Sequence, residues 1–258
     1  MAFSIQKASF WKRISAYIFD FILSIILTLG IAFGMTAILQ YDEKLDRLEA
    51  YRAQYEQEYG IDLDITQEDY EKFTSEEKAE YDAIYKQVND AINKDKAVMK
   101  TYSSLITLTL VTVTVSLLVS TLFFYFVVPL LFKNGQTLGK KIFGLAVMRT
   151  NGVKISNPVL FIRSILGLYA IETMFPMFLI AMILVGWLGM VGTVTLMLFF
   201  ILQLVVLGMT SATRSSIHDL MSDTVVVDMA SQKIFNSNEE LLAYQKAEAA
   251  EKAAAKPY

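Results

Sequence analysis

The sequence contains no cysteine, which excludes disulfides and thiolate metal sites and leaves the redox compartment unmarked. It has one histidine, His218, so a metal centre built from several imidazoles is excluded too. Charge is scarce: 19% of residues are Asp, Glu, Lys or Arg against 54% hydrophobic, too apolar a balance for a soluble domain. Acids are missing altogether from residues 133–163, which carry Lys133, Lys140, Lys141, Arg149, Lys154 and Arg163. Residues 41–100, by contrast, hold 17 acids and 9 bases.

Long apolar blocks are abundant. Ile14–Leu39, Leu105–Phe132 and Val159–Met209 can each cross about 30 Å of hydrocarbon. The third is twice the length one helix needs, and Gly186-Trp187-Leu188-Gly189 divides it, with Trp187 suited to a membrane interface. Spans are therefore predicted over 14–39, 105–132, 162–185 and 188–209. The first run exceeds a signal-peptide core and carries no small-residue cleavage site, so an uncleaved span is expected. Lys7, Lys12 and Arg13, like the acid-free stretch, belong in the cytoplasm by the positive-inside rule. Both termini then lie inside and residues 41–100 outside. Thr107 to Ser116 alternates with period two like a strand. A lone strand cannot satisfy its backbone in lipid, so a helix rich in β-branched residues is expected there.

Within 41–100, Leu45, Leu48, Arg52, Tyr55 and Tyr59 recur at helical spacing until Gly60, and Tyr81, Ile84, Tyr85, Val88 and Ile92 mark a return helix. Thr66-x-x-Asp69 and Thr74-x-x-Glu77 are start signals, the second the better capping box. On the cytoplasmic side, Leu145–Thr150 and Val153–Ile155 flank Asn151-Gly152, a strong hairpin signal, and Thr224–Val227 is a third strand candidate. The fold class is an all-α membrane protein. A four-transmembrane-helix bundle from residues 1–40 and 101–230 bears an extracytoplasmic helical hairpin (41–100), a small cytoplasmic β-hairpin and a tail helix within 231–258.

A carboxylate inside a bilayer costs roughly 2.5–3.5 kcal/mol on insertion scales and needs a partner or a task. Arg13, Asp20, Ser24, Leu27 and Ile31 fall near one line of the first span and form a stripe that faces the bundle. Asp20 lies too far along the axis for a direct pair with Arg13. Its candidate partners are Arg163, Gln203, Arg214 and His218. Asp20 then reads either as a satisfied acid fixing helix register or, with Gln203, as an ion or proton site. Glu172, four residues before Pro176, is a second intramembrane acid and a proton-relay candidate. Nine α-helical steps place it opposite Arg163 on their helix. Gly135-Gln-Thr-Leu-Gly-Lys-Lys141 fails as a phosphate loop on spacing and context. Lys140 and Lys141 read instead as contacts to anionic headgroups. Gly30-x-x-x-Gly34 is a small-residue face for a helix of this chain or a second copy. His218-Asp219 comes without an identifiable nucleophile, so no catalytic residue is assigned and the chain reads as a non-enzyme without cofactor.

Phe10-Trp-Lys-Arg13-Ile-Ser-Ala-Tyr-Ile-Phe-Asp20, Gly135–Leu145 leading to Gly152, and Ile217-His-Asp219-Leu-Met-Ser-Asp-Thr-Val-Val226 resemble, in order, the signatures of the RDD family of bacterial membrane proteins. The resemblance implies Arg13, Asp20 and Asp219 as the residues for which the family is named, with Arg214 and His218 beside the last. It also implies a bacterial plasma membrane and the transport of ions or small ligands. The 60 residues of 41–100 depart from the family, where a short connection is usual. Two functions follow: movement of an ion or small solute with Asp20 as coupling or gating site, or a non-transporting scaffold that binds a partner through its acidic outer hairpin. The bilayer is the expected partner, together with further copies of the chain or another membrane protein. Nucleic acid is not expected.

Overall fold

The computed structural model describes residues 5–6, 8–132, 134–209 and 216–254, without the side chain of Met209. Among the described residues four helices are long and apolar enough to cross a membrane: α1 (Phe10–Ile38), α5 (Lys96–Phe132), α7 (Asn157–Leu184) and α8 (Gly189–Gly208). Large apolar side chains stay exposed along them, for example Phe33, Leu131, Leu184 and Val191, as suits a surface solvated by lipid. The β-branched Thr107–Ser116 run is helical, as its setting requires. α7 and α8 separate at Gly186 and Gly189, both with positive φ, and Trp187 stands exposed in the turn.

The chain divides into two compact units, Met1–Thr28 with Leu117–Tyr258, and Leu29–Ser116. The second contains α2 (Tyr41–Tyr59), α3 (Gln67–Glu71) and α4 (Ser75–Lys94). Gly60 ends α2 in the left-handed conformation, and Thr74 with Glu77 closes a reciprocal capping box on α4. Arg52 pairs with Asp64 at 2.5 Å, and Tyr55 donates to Asp95 at 3.1 Å.

In the first unit, two five-residue helices, α6 (Leu138–Ile142) and α9 (Ile217–Met221), lie beside the spans. A two-stranded antiparallel sheet joins β1 (Leu145–Arg149) to β2 (Thr224–Asp228), with Val147 opposite Val226. This corrects the expected hairpin. The Asn151-Gly152 turn forms, with Arg149 N donating to Val153 O at 2.8 Å, but the return segment leaves β1 after one bridge at Lys154. Val147 N already donates to Asn134 O and is not free to bond Ile155 O, the next rung of the hairpin, while Lys154 N, on the far edge of the return segment, donates to Phe235 O. An isolated two-stranded ribbon is marginal in water. Here Leu145, Val147 and Val226 pack with Ala16 and Leu160, while Ala146, Met148, Val225 and Val227 form a cluster joined by Ile5 and Ile234. Lys12 adds an ion pair to Asp228 at 2.7 Å. The tail helix α10 (Asn238–Ala254) is anchored by Leu241, in one cluster with Phe235 and Val153.

Two stretches of the spans are π-helical, Leu122–Val127 in α5 and Ile162–Met174 in α7. Each runs up to a proline, Pro129 and Pro176. Proline leaves the carbonyl four residues before it without a helical donor, a costly loss in an apolar setting. For Pro129 that carbonyl belongs to Tyr125, and Ser164 Oγ donates to it at 2.5 Å.

Candidate functional site

Both short helices dock on an acid supplied by a span. Asp20 of α1, 1% exposed, accepts a hydrogen bond from Gly139 N at 2.7 Å and another from the Thr137 hydroxyl. Thr137 is the N-cap of α6, and its oxygen also accepts from Lys140 N at 3.3 Å. The carboxylate therefore completes the start of α6, where exposed amides favour negative charge. Only glycine fits at 139: a Cβ there would lie 2.3 Å from Ala16 O and 3.0 Å from Asp20 Cγ.

Glu172 of α7 does the same for α9. Its Oε1 accepts from His218 N at 2.8 Å, and its Oε2 lies 2.8 Å from His218 Nδ1. A glycine again permits the approach, since a Cβ at Gly167 would fall 2.6 Å from His218 Cβ. Arg163, 5% exposed, reaches Asp219 Oδ1 through Nη2 at 2.6 Å and Nε at 3.1 Å, and its Nη2 lies 3.0 Å from His218 Nε2. A guanidinium only donates, so Nε2 accepts and the ring proton sits on Nδ1, aimed at Glu172. Ser216 and Thr224 donate to the two oxygens of Asp219 at 3.0 Å each. Burial by itself would raise the Asp219 carboxyl. The charges of Arg163, of His218 where it is protonated, and of Arg13, with the Arg163 hydrogen bond, outweigh burial and hold it well below the usual carboxylate range.

Arg163 and Glu172 were expected on opposite faces. The π-helical stretch corrects this: bonding from i to i+5 widens the turn to roughly 80° per residue, so nine steps make nearly two full turns and bring both side chains to α9.

Between these docking points lies a cavity of about 640 Å³, lined by Arg13, Lys140, Arg163, His218 and Asp219 among apolar side chains that include Tyr17 and Leu207. Lys140 is half-buried on α6, and its ammonium is 3.4 Å from Thr137 Oγ1. Burial pushes it down to about 8, reinforced by Arg163 and Arg13 and opposed by Asp20 and Asp219. Lys141 is exposed and lies over the Phe132 ring, 3.8 Å from its centroid. Gln203, half-buried on α8, is not a partner of Asp20 among the described residues. Neither are Arg163 and His218, which are committed to Asp219 and Glu172. Arg214 lies outside the described residues. Among the described residues a Cβ at Gly30 or Gly34 would meet nothing within 4 Å. Thr137, Gly139, Gly167, Ser216 and Thr224 are the site residues that the sequence reading missed. The one visible clue was Thr137 as a cap two residues before Gly139. Among the described residues no three His, Cys, Asp or Glu side chains converge as a metal site requires.

A family model described as the RDD family matches residues 7–223, a range that takes in Arg13, Asp20 and Asp219 and both docking points. The chain belongs to the RDD family. No curated protein and no solved structure matches it. In this RDD protein Asp20 and Asp219 have different surroundings: Asp20 holds a helix by backbone and hydroxyl donors, and Asp219 holds a guanidinium.

Proposed function

We propose that this RDD protein moves a small solute or ion across the membrane, with protonation of buried acids at the cavity as the coupling event and Asp20 as the gate. The observation that carries this reading is the docking of α6 on Asp20, because α6 also carries Lys140 into the cavity. A proton on Asp20 Oδ2 turns that oxygen from acceptor to donor, and the Thr137 hydroxyl then has to turn away. The hold on α6 weakens, and a cavity cation shifts with it. Glu172, His218 and Asp219 offer a second set of titratable groups, held together by the Arg163 guanidinium. In this reading the termini and the sheet lie in the bacterial cytoplasm and residues 41–100 outside, in keeping with the charge asymmetry of the sequence.

The test is pH-driven flux in proteoliposomes containing wild-type protein or Asp20→Asn, an isosteric change that keeps an acceptor for Gly139 N. The wild-type chain is expected to carry flux and the folded variant to lose it. Flux retained by Asp20→Asn would overturn the gating role. Absence of flux from the wild-type chain would favour the scaffold reading.

A further inference from the structure

We infer that the 640 Å³ cavity binds a single-chain amphiphilic anion, a fatty carboxylate or alkyl phosphate, with its headgroup at Lys140 and its chain leaving past Phe10, Tyr17 and Leu207. This deepens the transport reading by naming the class of solute, and rests on it for that role.

The wall is graded. Arg163 and Asp219 are 5% and 2% exposed, whereas Phe10, Tyr17 and Leu207 are 51%, 55% and 43% exposed. The deep end is charged and the rim is apolar, on helix faces whose other side chains are exposed to lipid. Small-molecule sites commonly occupy roughly 300–1,000 Å³, mostly apolar with a small number of placed polar groups. Among the lining side chains Lys140 and Arg163 share one carboxylate, Asp219, which Arg163 already engages through two nitrogens. The Asp20 carboxylate is turned to α6. Lys140 makes no ion pair among the described residues, and its lowered proton affinity is that of a poorly solvated ammonium. An anion beside it gives the ammonium a direct ion-pair partner, and an acyl chain fills the apolar remainder and exits into the bilayer.

The test uses the full chain in phosphatidylcholine nanodiscs, titrated with dodecyl phosphate, dodecanol or inorganic phosphate while thermal unfolding is followed. Dodecyl phosphate is expected to raise the midpoint saturably and far more than either other probe. Lys140→Gln is expected to weaken its apparent affinity about tenfold, and Lys140→Arg to restore it. Leu207→Trp, which narrows the rim without touching the charged pole, is expected to weaken dodecyl phosphate and so decides the matter if the lysine variant fails to fold. Equal stabilisation by dodecanol would overturn the charged pole. Equal affinity for inorganic phosphate would assign the site to a free anion and overturn the amphiphile. Affinity unchanged in both Lys140→Gln and Leu207→Trp would overturn the site itself. Because binding is read without flux, each of these failures leaves the gating role of Asp20 to its own test.

Discussion

Arg163 and Glu172 hold the two ring nitrogens of His218 from one helix, Nη2 at 3.0 Å from Nε2 and Oε2 at 2.8 Å from Nδ1. The π-helical turn of α7 makes this possible, and Gly167 between them lets the histidine backbone approach. The result ties α7, α9 and, through Thr224, the start of β2 into one polar unit inside an apolar molecule.

Removing one partner of a buried ion pair leaves an uncompensated charge. Arg163→Met is expected to destabilise the protein by about 3–5 kcal/mol, and the double variant Arg163→Met/Asp219→Leu by much less. Chemical unfolding of the wild type and these two variants in one detergent checks this. Single and double variants that lose equal stability would contradict it.

The two docking glycines are expected to be intolerant. Gly139→Ala and Gly167→Ala place a methyl within 2.3 Å of Ala16 O and 2.6 Å of His218 Cβ, so backbone has to move. A loss of about 1–3 kcal/mol is expected for each. Gly30→Ala, whose methyl meets nothing within 4 Å among the described residues, is the control. Unfolding midpoints equal to the control would remove the docking argument.

Much of the fold was legible from the sequence, because lipid permits so few solutions. Block length, the Gly186–Gly189 interruption and the ban on lone strands were enough for four helices and for the β-branched helix at Thr107–Ser116. The Thr74/Glu77 box and the Gly60 stop were local signals and formed locally. Leu145–Thr150 and Thr224–Val227 were legible as strands; the loss of Val153–Ile155 from the sheet was not, since it depends on Asn134 O engaging Val147 N. The polar site was half legible. The buried acids stood out by type and depth, but their donors are a backbone amide at Gly139 and hydroxyls at Thr137, Ser216 and Thr224, which carry no pattern of their own. The face shared by Arg163 and Glu172 was hidden for another reason: helical periodicity assumes 100° per residue, and α7 does not keep it.

Two pH dependences of the same sign are expected, one in the acid range and one in the alkaline range. Asp219 has a lowered folded value, so its contribution to stability is full above the ordinary carboxylate range near pH 4 and fades as pH falls through the folded value. Asp219→Asn should therefore flatten the acid limb of a stability profile. Lys140 is pushed down to about 8 from 10.5, so between those values the unfolded chain holds the proton and the folded one does not. Stability attributable to Lys140 rises with pH across that window, while positive charge in the cavity, shared with Arg13 and Arg163 and opposed by Asp20 and Asp219, declines. Thermal midpoints of wild type and Lys140→Gln between pH 7 and 10.5 check the sign. A wild-type profile that falls relative to the variant across this range would contradict it.

The most direct measurement is nitrogen-15 NMR of labelled histidine in the full-length protein, unambiguous because His218 is the only one in the chain. A network in which Arg163 donates to Nε2 and Glu172 accepts from Nδ1 is expected to give a ring protonated at Nδ1 alone. Arg163→Met is expected to release that preference. A ring carrying its proton on Nε2 in the wild-type protein would contradict the arrangement of Glu172, His218, Arg163 and Asp219 on which the proposed proton coupling draws.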